Sequence, residues 1–192
     1  PRWLGNHEEM VIASATAGVK GILCEKPFAA SLSEADSMLE SCARNGVRVV
    51  VAHRRVNAYE IHGKKLLDDG LIGDLRTIKS RGKEDRRAGS MDLMVLGTHM
   101  MDSLRYFAGD EVEWVHGSVT QNNHAVTVDD IYEGNEEIGL IAGNGVDAHF
   151  KFQNGISAYF ESHPSDPGSD RHSRSFGFEI HGTTGVISMR NS

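Results

Sequence analysis

The stretch GILCEKP, residues 21–27, decides how this chain is read. Gly21-Ile22-Leu23-Cys24 reads as a short buried strand, and Glu25-Lys26-Pro27 follows directly at its carboxyl end. Working outward, HEEMVIASATAG at 7–18 is apolar at Met10, Val11, Ala13, Ala15 and Ala17 and stops at Gly18, which predicts a helix. Downstream, Ser31-Leu32-Ser33-Glu34 offers capping residues for an amphipathic helix from Ala35 to Asn45. Met38, Leu39 and Cys42 face inward there, and Gly46 closes it. VRVVVA at 47–52 is β-branched and nearly all apolar, as expected of a strand covered on both faces. Residues 1–53 therefore read α-β-α-β, an alternation that argues for a parallel sheet with crossover helices. Two strands are few for a free-standing doubly wound sheet, so further residues upstream are expected.

Beyond this point a helix is expected from Asn57 to Asp69, stopped by Gly70, then a strand from Ile72 to Ser80 and a polar loop from Arg81 to Ser90. Met91 to Ala108 is the longest helical pattern. After Gly109 the period changes to that of strands: Val112–Thr120, Val146–Phe152, Ile156–His163, Phe176–Ile180 and Val186–Met189. Asn154-Gly155 between two such runs is a hairpin signal. The expected fold class is α/β: the C-terminal part of a Rossmann-like parallel sheet over 1–54, then an α+β domain with a large, mostly antiparallel open sheet over 55–192. The chain starts at Pro1 and stops after a strand-like Ile187-Ser188-Met189-Arg190, so a piece cut at both ends is expected.

Composition bounds the function. The 192 residues are 39% hydrophobic and 24% charged, which fits a packed core and excludes wholesale disorder. Twenty basic against 27 acidic residues give a net charge of −7, so nothing draws the chain as a whole to nucleic acid or anionic membrane. No apolar run approaches the ~20 residues that cross a bilayer. Cys24 and Cys42 are the two cysteines, and with no signal peptide a cytoplasmic setting is expected.

Two places could carry chemistry. Lys26 follows a parallel strand, where open α/β sheets bind ligands. Beside a cationic ring its pKa would fall, letting it exchange a proton with a hydroxyl near neutral pH. Pro27 could make the preceding bond cis. The competing reading is a surface turn with an ion pair. On the long helix, Asp92, Val95, His99, Asp102 and Tyr106 recur as one stripe, beside an apolar stripe of Leu93, Leu96, Met100, Leu104 and Phe107. His99 and Asp102 are helical neighbours, and a carboxylate there can fix the imidazole tautomer. The competing reading is a core histidine satisfied by Asp102 or a carbonyl.

Taken together these features resemble the Gfo/Idh/MocA family, the glucose–fructose oxidoreductase and inositol dehydrogenase relatives. The resemblance rests on His7 before a helix, GVKGILCEKP at 18–27, GLIGDL at 70–75, GTHMMD at 97–102 and GTTG at 182–185, in the family's order and spacing. It implies an NAD- or NADP-dependent oxidoreductase that moves a hydride between a sugar or polyol and nicotinamide. It further implies catalytic roles for Lys26 and His99, with Asp102 orienting His99. Glu25, Lys26, Pro27, His7 and Arg54 or Arg55 would stand on the cofactor side. The large sheet would pack against a second subunit in a homo-oligomer.

Two departures bear on this. No G-x-G-x-x-G phosphate loop occurs in the chain, so by itself it is expected to bind a dinucleotide poorly and to be inactive. Val95 stands where many family members carry an acid, four residues before the histidine. Asp92, seven before His99, could face the same cleft as a further catalytic group or serve as the helix N-cap. A second reading of the whole is a non-catalytic relative, a cofactor-sensing or scaffold protein.

The remaining signals read as surface. Arg76, Lys79, Arg81, Lys83, Arg86 and Arg87 suggest a solvated edge and loop, with an anionic ligand as the alternative. Asp129 to Glu137 suggests a surface insertion. His7-Glu8-Glu9-Met10-Val11 fails as a zinc motif because Val11 replaces the second histidine, and no metal ligands are assigned.

Overall fold

The computed structural model describes residues 4–53, 57–85, 87–165 and 176–190. In chain order the elements are α1 (His7–Thr16), β1 (Gly21–Cys24), α2 (Leu32–Arg44), β2 (Arg48–Val51), α3 (Ala58–Asp68), β3 (Leu75–Arg81), α4 (Ser90–Asp92) and α5 (Thr98–Ala108). They continue with β4 (Val112–Gln121), β5 (His124–Ala125), β6 (Ile131–Glu133), β7 (Leu140–Ala142), β8 (Gly145–Phe152), β9 (Ser157–Ser162), β10 (Gly177–Gly182) and β11 (Val186–Arg190). The chain divides into two compact units: residues 1–53 with 132–141, and residues 54–131 with 142–192.

In the first unit β1 and β2 run parallel, Ile22 opposite Val49 and Cys24 opposite Val51, with α2 as the crossover. The start of α2 is fixed by two reciprocal bonds. Ser31 Oγ accepts from Glu34 N at 3.2 Å, and Glu34 Oε2 accepts from Ala30 N at 2.9 Å. Val11 and Ala15 of α1 and Met38 and Cys42 of α2 bury against Ile22, Cys24, Val47 and Val49. Of the two faces expected to be covered over Val47–Ala52, this chain covers one, with α1 and α2. Leu23 is 75% and Val50 61% exposed. Alternation turns these two away from the face that α1 and α2 cover. The acidic stretch forms a ribbon of β6 and β7, and its 3-10 turn at Asn135–Glu137 touches Leu4–Asn6.

In the second unit seven strands form one sheet in the order β11-β10-β3-β9-β8-β4-β5. Every pairing is antiparallel except β3 with β9. Hairpin β8–β9 turns at Asn154-Gly155, with Gly155 at φ 85°, and Asn154 Nδ2 also donates to Ala108 O at the end of α5. The period of two separates the faces. Ile78, Ala158, Phe160, Phe178 and Ile180 point to the side covered by Met100, Leu104 and Phe107 of α5. Lys79, Tyr159 and Glu161 lie on the other face. There Tyr159 stacks on His149 with ring centroids 4.5 Å apart. No helix among the described residues is long and apolar enough to cross a membrane.

Phe178 is 2% exposed and meets Phe107 edge to face at 5.4 Å. Phe178→Ala is expected to destabilise the second unit by about 3–5 kcal/mol. Val186→Ala, at a 54% exposed position, should stay within about 0.5 kcal/mol. Urea unfolding checks both, and equal effects would contradict the assignment of the covered face.

Candidate functional site

The first group of residues sits where β1 ends. Glu25 is exposed and Lys26 and Pro27 are half-buried. The Lys26–Pro27 bond is cis, one of the two forms Pro27 allows. His7, the first residue of α1, is 2% exposed and reaches across to this loop. Its Nδ1 lies 2.9 Å from Pro27 O and 3.3 Å from Phe28 O. Carbonyls only accept, so Nδ1 carries the proton and His7 donates. His7, expected on the cofactor side, thus acts on the backbone of the lysine loop and ties α1 to it. Arg54 and Arg55 lie outside the described residues, as does Arg86.

The second group sits on the long helical run. The expected helix from Met91 to Ala108 is present with one change: Leu93–Gly97 forms a π-helical segment between α4 and α5. Bonding i to i+5 takes one extra residue per turn, which shifts later side chains by about 100° relative to an unbroken α-helix. The single stripe read from the sequence therefore splits. Asp92 and Val95 are 0% and 1% exposed, whereas His99, Asp102 and Tyr106 are half-buried. His99 and Asp102 remain one turn apart on α5.

The N-cap reading of Asp92 is corrected. Gly89 occupies the N-cap, with φ 68°, and Asp92 is the third helical residue. Asp92 Oδ2 accepts from Ser162 Oγ at 2.7 Å and from Glu84 N at 3.1 Å. Ser162 Oγ in turn accepts from Gly89 N at 3.1 Å. Nearby, Glu84 is 5% exposed and accepts from His163 N at 2.9 Å. Burial pushes both the Asp92 and the Glu84 carboxyl above the ordinary carboxylate range, outweighing the hydrogen bonds that act the other way. Of the basic cluster, Arg87 and Lys83 pair with Asp85 at 2.5 and 3.5 Å and Arg81 pairs with Glu161 at 2.7 Å.

Two polar groups were not singled out from the sequence. Glu60 of α3 is fully buried and accepts from Ser103 Oγ of α5 at 2.9 Å. The signal was there: Glu60, Gly63 and Leu67 share the buried helix face, so a carboxylate holds an apolar-face position. Asp147, Glu161 and His163 place one ligand atom each within 4.8 Å of one another. The hairpin turn sets this register, pairing Asp147 with Glu161. His163 Nε2 lies 2.9 Å from Asp147 Oδ1, and Arg81 pairs with Glu161 at 2.7 Å.

Residues 61–188 match the family model described as the GFO/IDH/MocA C-terminal domain, and residues 1–53 match the oxidoreductase family model for an NAD-binding Rossmann fold. The chain belongs to the Gfo/Idh/MocA family. The cofactor of the family's Rossmann domain is a nicotinamide dinucleotide, NAD or NADP. Among relatives, the levoglucosan dehydrogenase of Pseudarthrobacter phenanthrenivorans is 27% identical over 206 residues, covering 94% of this chain and 52% of that protein. The crystal structure of myo-inositol 2-dehydrogenase from Lactobacillus plantarum matches with a TM-score of 0.73 at 22% identity, covering 96% of this chain and 54% of that one. An oxidoreductase from Agrobacterium radiobacter, solved with NAD+, L-tartaric acid and magnesium, matches with a TM-score of 0.73 at 22% identity, over 98% and 54%. These structural likenesses show the fold. The chain spans about half the length of the relatives it matches.

The titrations carry opposite signs. Asp85, held by the Arg87 guanidinium, falls from the ordinary 3.8 to about 2. Its stabilisation is present above 3.8 and is lost as pH falls toward 2. Asp92 and Glu84 are raised, so their contribution is present below the unfolded carboxylate range and is lost as pH rises through the folded values. A carboxyl NMR titration of Arg87→Gln should return Asp85 toward 3.8, and an unmoved Asp85 would contradict the pairing.

Proposed function

We propose that the full-length protein is an NAD(P)-dependent oxidoreductase acting on a CH–OH group of a sugar, a polyol or a related hydroxy compound. The observation that carries this reading is the ordered match of two family models, NAD-binding Rossmann then C-terminal domain, with Lys26 two residues past the end of β1 and His99 on α5. The relatives' names support the substrate class: levoglucosan and myo-inositol are the compounds named for two of them.

The residues at the end of β1 fit a nicotinamide cofactor. A half-buried lysine at the carboxyl end of a parallel strand, on a loop pinned by a buried histidine, is where open α/β sheets take ligands. Glu25, Lys26 and Pro27 would stand against the cofactor, with His7 holding their loop and Arg54 as a further contact. When bound, the nicotinamide would supply the hydride chemistry at the substrate carbon. The protein's own task is the proton. As the C–H bond to the carbinol carbon breaks, the hydroxyl proton passes to Lys26 or His99, directly or in relay, and Asp102 sets the His99 tautomer. A cytoplasmic setting and a homo-oligomer through the open sheet face, where Trp114 is 44% and Tyr159 40% exposed, complete the proposal.

Lys26→Met and His99→Ala in the full-length protein should each lower kcat by about 10²–10⁴-fold while the fold persists. Turnover followed by absorbance at 340 nm across sugars and polyols is the measurement. Unchanged kcat in either variant would remove that residue from the reaction.

A further inference from the structure

We propose that Asp92 is a positioning residue for His99, holding the first turn of the histidine's helix through Ser162 and Glu84 rather than touching substrate. The proposal rests on the assignment of His99 to the proton step.

Asp92 has no exposed surface, so its carboxylate faces protein on every side. One oxygen, Oδ2, accepts from both Ser162 Oγ and Glu84 N. The Ser162 hydroxyl has one proton and gives it to Asp92. Its own oxygen accepts from Gly89 N, the N-cap of the helix. A single carboxylate thus joins three backbone points: the loop after β3 at Glu84, the helix start at Gly89 and the end of β9 at Ser162. Ser90 adds two bonds to the same turn, from Oγ to Ala142 O at 2.5 Å and from N to Gly143 O at 3.2 Å. The packing leaves no slack, since a Cβ at Gly82 would overlap Asp92 Oδ2 and both side-chain atoms of Ser162.

The π segment connects this anchor to His99. Downstream, Met100, Leu104 and Phe107 fix α5 on the sheet. Upstream, Asp92 fixes α4. The π turn at Leu93–Gly97 takes up the difference in phase between the two anchors, and His99 is the second residue after it. Releasing the upstream anchor lets the extra residue redistribute along the helix, and the first ring displaced is His99.

Asp92→Ala, Asp92→Asn and Ser162→Ala in the full-length protein test this. Asp92→Ala is expected to lower kcat by about tenfold or more, with KM for the sugar or polyol within about twofold. Asn keeps an acceptor at the Oδ2 place and should rescue most of that loss. Ser162→Ala should reproduce part of it, and the double variant should lose less than the product of the two single losses, because the Asp92–Ser162 bond is common to both. Should Asp92→Ala fail to fold, Ser162→Ala against Asp92→Asn makes the same comparison. Multiplicative losses, or Asn as impaired as Ala, would overturn the proposal in favour of a direct role for the charge. Full kcat in the folded fraction of Asp92→Ala would reduce Asp92 to a stability role. The His99 ring signals in a nitrogen–carbon NMR spectrum give a readout free of turnover. Signals moved in Asp92→Ala and restored in Asp92→Asn support the proposal, and unmoved signals overturn it. If the wild type turns over no sugar or polyol, the oxidoreductase reading fails, while the ring signals still decide the placement of His99.

Discussion

The burial of one face of α5 against the covered face of the seven-stranded sheet is the interaction on which the second unit depends. Met100, Leu104 and Phe107 meet Ile78, Phe160, Phe178 and Ile180, every one of them at 2% exposure or less. At roughly 1.5–3 kcal/mol for each large apolar side chain removed from water, this contact outweighs any single polar bond in the unit. It also fixes which way α5 faces. Once the apolar stripe is seated, His99, Asp102 and Tyr106 have no choice but the half-buried flank. The chemistry proposed for His99 therefore inherits its geometry from a hydrophobic contact.

Polar bonds then do what apolar contacts do poorly, which is to set a direction. The two units use the same device. In the first, buried His7 donates to the backbone of the loop that carries Lys26. In the second, buried Asp92 accepts from the loop after β3 and from Ser162 ahead of the helix that carries His99. A buried polar group left without its partner costs about 1–3 kcal/mol, so each bond resists displacement more than its net stability suggests.

Periodicity and turn chemistry were legible in the sequence. The α-β-α-β start, the hairpin at Asn154-Gly155 and the core face of α5 at Met100, Leu104 and Phe107 all follow from spacing that a reader can count. So does the place of Lys26, two residues past the end of β1. What escaped was tertiary. Of the both-face burial expected of Val47–Ala52, one face is covered, by α1 and α2, within a chain about half the length of its relatives. The π segment escaped because Leu93, Met94 and Leu96 are ordinary helix formers, and Gly97 marks a helix end or a close approach as readily as an extra residue. With it went the single stripe from Asp92 to Tyr106. Asp92 was read as a cap or a cleft residue because its actual partners, Glu84 and Ser162, lie 8 and 70 positions away.

The account stands on Lys26 and His99 serving one hydroxyl. The most direct measurement is a crystal structure of the full-length protein with nicotinamide cofactor and a sugar or polyol it turns over. The account predicts Lys26 Nζ and a His99 ring nitrogen within about 3.2 Å of the reacting oxygen, or one water away. A reacting hydroxyl held by neither side chain would contradict it.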